Sequence, residues 1–262
     1  MTGRRTLLQE QRRARERTAR RCMFCGADSA TREHAVPAWL LDTLGSSAAS
    51  LMEVQFREEA PRKPWFTKDG ILINRFCASC QNGWMSDLEA SARPTVGPLA
   101  HDLALWLSRE QQALVARWSL KTAMVLEGVN AEGQWFYSGA ERAGLMTPSA
   151  QLPEATYIWA GRYAHSGTSY FQSRRMSGDT SGLLSEGYAV TFGFGHLVLQ
   201  TLTVRRRRQS KRASLEIKAG PWNDCLIQVW PVTTGSIRWP PPLSFSASSI
   251  DLDELSGRFR RG

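Results

Sequence analysis

Apolar residues recur with two different periods along this chain. Between residues 109 and 126 the spacing is helical: Leu114, Val115, Trp118, Val125 and Leu126 fall on one face. Ser108 and Gln111 stand at the spacing of a capping box, which marks the start of that helix. Helical character is expected across 94–130 as a whole, and from 78 to 92 before it. Pro37 can open a short helix that runs to Leu44 and stops at Gly45. Residues 51–56 and 71–76 have strand character, with a basic, proline-containing excursion, 61–68, between them. From Gly133 onward the period is two. Strands are expected at 134–137, 156–163, 169–174, 188–194, 197–205, 215–219 and 226–230, separated by Gly, Ser, Asn and Asp clusters. Arg205 to Arg208, with Lys211 and Arg212, would form a basic hairpin tip. The run Trp239 to Pro242 reads as a stiff linker into a short tail.

These elements predict an α+β protein: a basic arm (1–21), a cysteine-rich unit (22–93), a helical connector (94–132), an antiparallel β region (133–242) and a tail (243–262). Length allows one large domain or two smaller ones, and ten tryptophans argue for a substantial core. Lys121 borders the apolar helical face and reads as a snorkelling side chain within reach of phosphate.

The net charge of +9 favours polyanionic partners. It is concentrated in the arm, where Arg12, Arg13, Arg20 and Arg21 are joined by four further arginines, and it recurs at Lys63, Lys68, Arg206 and Arg207. These are the candidate nucleic-acid contacts. No apolar run reaches the length of a bilayer span and no secretory signal is evident, so a cytoplasmic protein without a membrane partner is expected.

The cysteines change the picture most. Cys22 and Cys25 form one Cys-x-x-Cys pair, and Cys77 and Cys80 another. Two such pairs are the ligand set of one structural, tetrahedral Zn²⁺ with no open position. A redox dithiol would need a thioredoxin-like βαβ pattern, which is absent. Cys225 stands alone in an apolar run and reads as a small hydrophobe. Between the pairs lies Glu33-His34-x-x-Pro37, an acid–histidine pair inside the loop that the metal would close.

The segments TREHAVPAWL (31–40) and INRFCASCQNGWMSDLE (73–89) resemble the HNH, or His-Me finger, endonucleases of bacteria and phages. The resemblance covers about a quarter of the chain. It implies a zinc treble clef supporting a ββα-metal fold, with a role in phage processing or antiviral defence. It also implies hydrolysis of DNA phosphodiester bonds, with His34 as general base, Glu33 as ligand of a catalytic Mg²⁺ or Mn²⁺, and Asn74 holding the His34 loop. Asn or His usually follows the last cysteine as a second cation ligand. Here the residue is Gln81, with Asn82 next, so either supplies that ligand, or the cation is held weakly, or the nuclease is degenerate. Asp87, further along the helix, is a weaker candidate. The alternatives are a non-catalytic zinc-stabilised binder of DNA or RNA, and a module whose C-terminal sheet engages a protein partner.

Overall fold

The computed structural model describes residues 21–29, 31–43, 50–55, 63–67, 72–130, 134–149, 151–164, 170–177, 184–206, 224–233 and 235–245. Arg12, Arg13, Arg20, Lys68 and Arg207, and the strand expected at 215–219, lie outside them. For 43, 50–55, 63–67, 170 and 177 only the backbone is described. Among the described residues the chain is α+β, with antiparallel pairing dominant and a four-cysteine cluster near the N-terminus.

Strand β1 (Thr31–His34) pairs antiparallel with β4 (Leu72–Phe76), and Glu33 lies opposite Ile73. Between them come helix α1 (Ala38–Thr43) and strands β2 (Ser50–Gln55) and β3 (Lys63–Thr67). The excursion 61–68 itself holds a strand, β3, which pairs antiparallel with β2, while the other flanking strand, β4, pairs with β1. The β2–β3 pair leaves the cysteine-rich unit, however, to join a distant sheet. β2 runs parallel to β7 (Tyr170–Ser177) in a seven-stranded sheet ordered β10-β6-β9-β8-β7-β2-β3. The remaining strands of that sheet are β6 (Thr156–Arg162), β8 (Leu184–Phe194), β9 (Leu197–Arg206) and β10 (Leu226–Trp230).

After β4 the chain makes one helical turn, α2 (Ala78–Cys80), a π-helical turn (Gln81–Met85) and helix α3 (Ser86–Ala100). Gly83 (φ −98°, ψ −118°) breaks the helical geometry within the π turn. α3 runs past the expected end because Pro94 and Pro98 are four residues apart on one face. The carbonyl that Pro94 leaves without a donor belongs to exposed Ala90 and can take water.

The helix expected to be continuous from 94 to 130 is interrupted. Asp102 at φ 59° ends α3, and β5 (Leu105–Ser108) pairs with β11 (Ser236–Trp239). Trp239, expected in a linker, is fully buried in that pairing. α4 (Arg109–Glu127) begins with the Ser108–Gln111 capping box, both halves of which form. Residues 134–137 are not a strand. They lead into α5 (Gly139–Leu145), whose cap is a second box, Ser138 with Glu141.

α4 is the central element. Trp118 is fully buried and meets Phe192 and Phe194 edge-on at 6.2 and 6.0 Å, while Ser119 Oγ lies 2.7 Å from Thr201 Oγ1 on the sheet. At its end, a Cβ on Gly128 would meet Ile73 Cγ2 at 2.6 Å, so glycine is needed for α4 to reach β4. The expected snorkelling of Lys121 does not occur: the side chain is 0 % exposed and ion-paired. Arg205 is likewise not at a hairpin tip. It lies within β9, paired with Glu141 and stacked over Phe136, and the next described strand, β10, pairs with β6. No helix among the described residues is long and apolar enough to cross a membrane.

Candidate functional site

The first cysteine pair sits on a tight turn. Cys22 N donates to Ala27 O and Gly26 N to Cys22 O, with Gly26 at φ 75°, a conformation that favours glycine. Met23 N donates to Arg75 O on β4, bringing this turn against the second pair. Cys77 caps α2, its sulfur accepting from Cys80 N at 3.4 Å. The four ligand sulfurs all lie within 4.8 Å of one another. Tetrahedral Zn–S bonds place sulfurs ~3.8 Å apart, so a small contraction suits this cluster to one metal ion such as zinc.

The thiols differ in their surroundings: backbone N–H groups of Cys25, Phe24 and Cys77 outweigh burial and bring the Cys22 thiol down to about 7, whereas burial pushes the Cys25 and Cys80 thiols up. Trp84 Nε1 is buried without a hydrogen-bond partner that meets ordinary geometry, and it acts on the Cys80 thiol, opposing the upward push of burial. Uncharged, that thiol is a weak acceptor; as a metal-bound thiolate it would accept the indole N–H. The Trp84 ring packs edge-on against Phe24 at 4.8 Å, so it closes the metal knuckle rather than packing the sheet.

β1 projects the acid–histidine pair from the hairpin. The one irregularity falls between Thr31 and Glu33; Glu33 opposite Ile73 and His34 opposite Leu72 are in regular register, so their side chains leave opposite faces of the strand, and both are half-buried. Of the two His34 ring nitrogens, Nδ1 is the buried one, and it has no hydrogen-bond partner. Gln81 lies against the same strand, its Nε2 donating to Arg32 O at 2.8 Å. Asn82 and Asn74 are exposed, and neither hydrogen-bonds His34. The structure thus brings Gln81 to Glu33, with His34 the next residue along the strand, and leaves Asn82 and Asn74 at the surface. Arg21 is exposed at the start of the knuckle, and Arg206 is half-buried at the end of β9.

Behind Glu33 lies a polar cluster that the sequence did not disclose. Glu89 on α3 accepts from Trp39 Nε1 (2.7 Å) and Trp118 Nε1 (3.0 Å) through Oε2, and from the Lys121 ammonium through Oε1. Three donors occupy this carboxylate, so it is not a free cation ligand. Burial raises the Glu33 carboxyl above the usual glutamate range. The Lys121 charge opposes that rise, the Glu89 charge adds to it, and the Gln81 amide opposes it. The sequence carried one sign of this cluster: a lysine set among the core positions of an amphipathic helix.

A groove of about 450 Å³ opens between α3 and α4, lined by Trp84, Asp87, Leu114 and Arg117 among others. Glu33 and His34 do not line it. Asp87 faces this groove and not the acid–histidine edge.

No family model, curated protein or solved structure matches the chain. What it does is therefore argued from these residues alone.

Proposed function

We propose that this protein is a metal-dependent HNH-type endonuclease that hydrolyses DNA phosphodiester bonds at the Glu33–His34 edge. The observation that carries the reading is the adjacency of a half-buried carboxylate and a half-buried imidazole on a hairpin clasped between the halves of a four-cysteine cluster. His34 presents Nε2 as the base, because Nδ1 faces the interior. It takes a proton from a water that attacks phosphorus, and the leaving 3′-oxygen is protonated from solvent. Glu33 and the amide oxygen of Gln81 would hold a Mg²⁺ or Mn²⁺, with Asn82 as the outer alternative. Such a cation supplies positive charge against the phosphate. The Gln81 nitrogen donates to Arg32 O and the amide also supports the Glu33 carboxylate, so a cation bound at Glu33 would take the amide oxygen on rotation of that side chain. The net charge of +9 supports DNA as the partner, with RNA bound by the same phosphate chemistry.

The test is plasmid nicking by zinc-loaded protein with Mg²⁺ or Mn²⁺. His34→Ala is expected to reduce the rate by ~10² or more. A folded, zinc-loaded protein that leaves plasmid intact with every divalent metal refutes the reading. One observation favours a second reading, a non-catalytic nucleic-acid binder: Nδ1 of His34 has no acceptor to fix its tautomer. That reading predicts DNA retention without cleavage, unchanged by His34→Ala.

A further inference from the structure

A chain of contacts leads from the buried cluster to the surface. Lys121 is fixed against Glu89, Glu89 fixes the Trp39 indole through its N–H, and the guanidinium of Arg93 stacks over the Trp39 ring at 5.7 Å. Arg93 stands one turn beyond Glu89 on α3, and Trp39 stands on the helix entered directly from His34 and Pro37. Arg93 is exposed and forms no ion pair with a described carboxylate.

Each link restricts the next. The indole cannot rotate without giving up its bond to a carboxylate that is itself held by two other donors. A guanidinium lying on a fixed aromatic face loses little further freedom when it binds an anion, and its N–H edge remains free. That edge matches the paired oxygens of a phosphodiester. Glu89, one turn away on the same helix, is engaged by Trp39, Trp118 and Lys121 and forms no ion pair with Arg93.

We infer that Arg93, braced on Trp39, is a phosphate-binding residue that seats the nucleic-acid backbone beside Glu33 and His34. This rests on the reading of that edge as a phosphodiester site and adds to it a residue outside the acid–histidine motif. A lysine at this position would retain the charge but not the flat, stacked edge.

The experiment measures binding apart from cleavage. Zinc-loaded full-length protein carrying His34→Ala is titrated against a labelled DNA duplex by fluorescence anisotropy over a range of salt. Adding Arg93→Gln is expected to weaken binding roughly fivefold at 0.15 M salt and to make the log–log salt slope shallower by about 0.9, the signature of one lost phosphate contact. Arg93→Lys should restore the slope. Arg238→Gln removes an equally exposed arginine on β11 and should change neither quantity. The inference is overturned if Arg93→Gln leaves affinity and slope unchanged, if Arg238→Gln has the same effect, or if the His34→Ala protein does not bind DNA. A protein that gives the expected binding pattern but never cleaves refutes the nuclease reading and leaves the Arg93 contact standing. An active nuclease whose slope ignores Arg93 does the reverse.

Discussion

Lys121 is the most exacting place to test the account of the buried cluster. The substitution Lys121→Met retains most of the side-chain volume and removes only the charge. The ammonium is 0 % exposed and its Glu89 partner 13 %, so solvent can do little for the carboxylate left behind. Removing one partner of a buried ion pair costs about 3–5 kcal/mol. Two indole N–H donors remain on Glu89, which places this case near the lower end, about 3 kcal/mol. In a chain of this size that corresponds to a fall in Tm of roughly 6 °C. The double variant Lys121→Met/Glu89→Gln removes both charges and keeps a carbonyl for the indoles. It should recover at least ~2 kcal/mol, because a neutral, well-filled pair is often no worse than a buried ionic one. Urea unfolding in saturating zinc, followed by tryptophan fluorescence, measures the parent, both single variants and the double variant. A single variant within about 1 kcal/mol of the parent would refute the reasoning, and so would a double variant as unstable as the sum of its parts.

Two other expectations concern the metal and the acid stability. Zinc-loaded protein should hold one equivalent of metal per chain; Cys80→Ser should lose it and unfold, as measured by metal release to a chromogenic chelator and by circular dichroism. Glu141 is the second case. Burial would raise its carboxyl, but hydrogen bonds from Arg205 and from the Ser138 cap, with the Arg205 charge, outweigh burial and hold it below the usual range. Its contribution is therefore present above the ordinary glutamate pKa and lost as pH falls through the depressed value. Glu141→Gln keeps the cap and loses the ion pair, so it should lower the urea midpoint at neutral pH by the equivalent of about 1 kcal/mol. The difference should vanish in acid, and a deficit that persists there would contradict the assignment.

What could be read from the sequence was local. Paired cysteines, the Ser108–Gln111 cap and the strand patterns at 156–163, 188–194 and 197–205 all express chemistry between residues near in the chain; the cap and the strands form there, though β6, β8 and β9 are buried on both faces rather than alternately. What could not be read depended on distant partners. Lys121 looks like a surface lysine until Glu89 is brought beneath it from another helix. Trp239 looks like part of a proline-stiffened linker until β5 pairs with it. α5 was concealed by the aromatic run Trp135-Phe136-Tyr137, whose strand propensity outweighed the Ser138–Glu141 cap. Within the candidate site, the motif located Glu33, His34 and the cysteines. It did not reveal Trp39, Glu89 or Arg93, because their association exists only once α1, α3 and α4 have met.

The parallel pairing of β2 with β7 has a kinetic consequence. Leu51 must find Tyr170, a far longer search along the chain than the one that brings Cys25 to Cys77. Chain closure over the shorter span has the smaller entropic barrier. Contacts of high order then limit the overall rate, so the thiol-bound knot should be in place while the sheet edge beside β7 still waits for its neighbour.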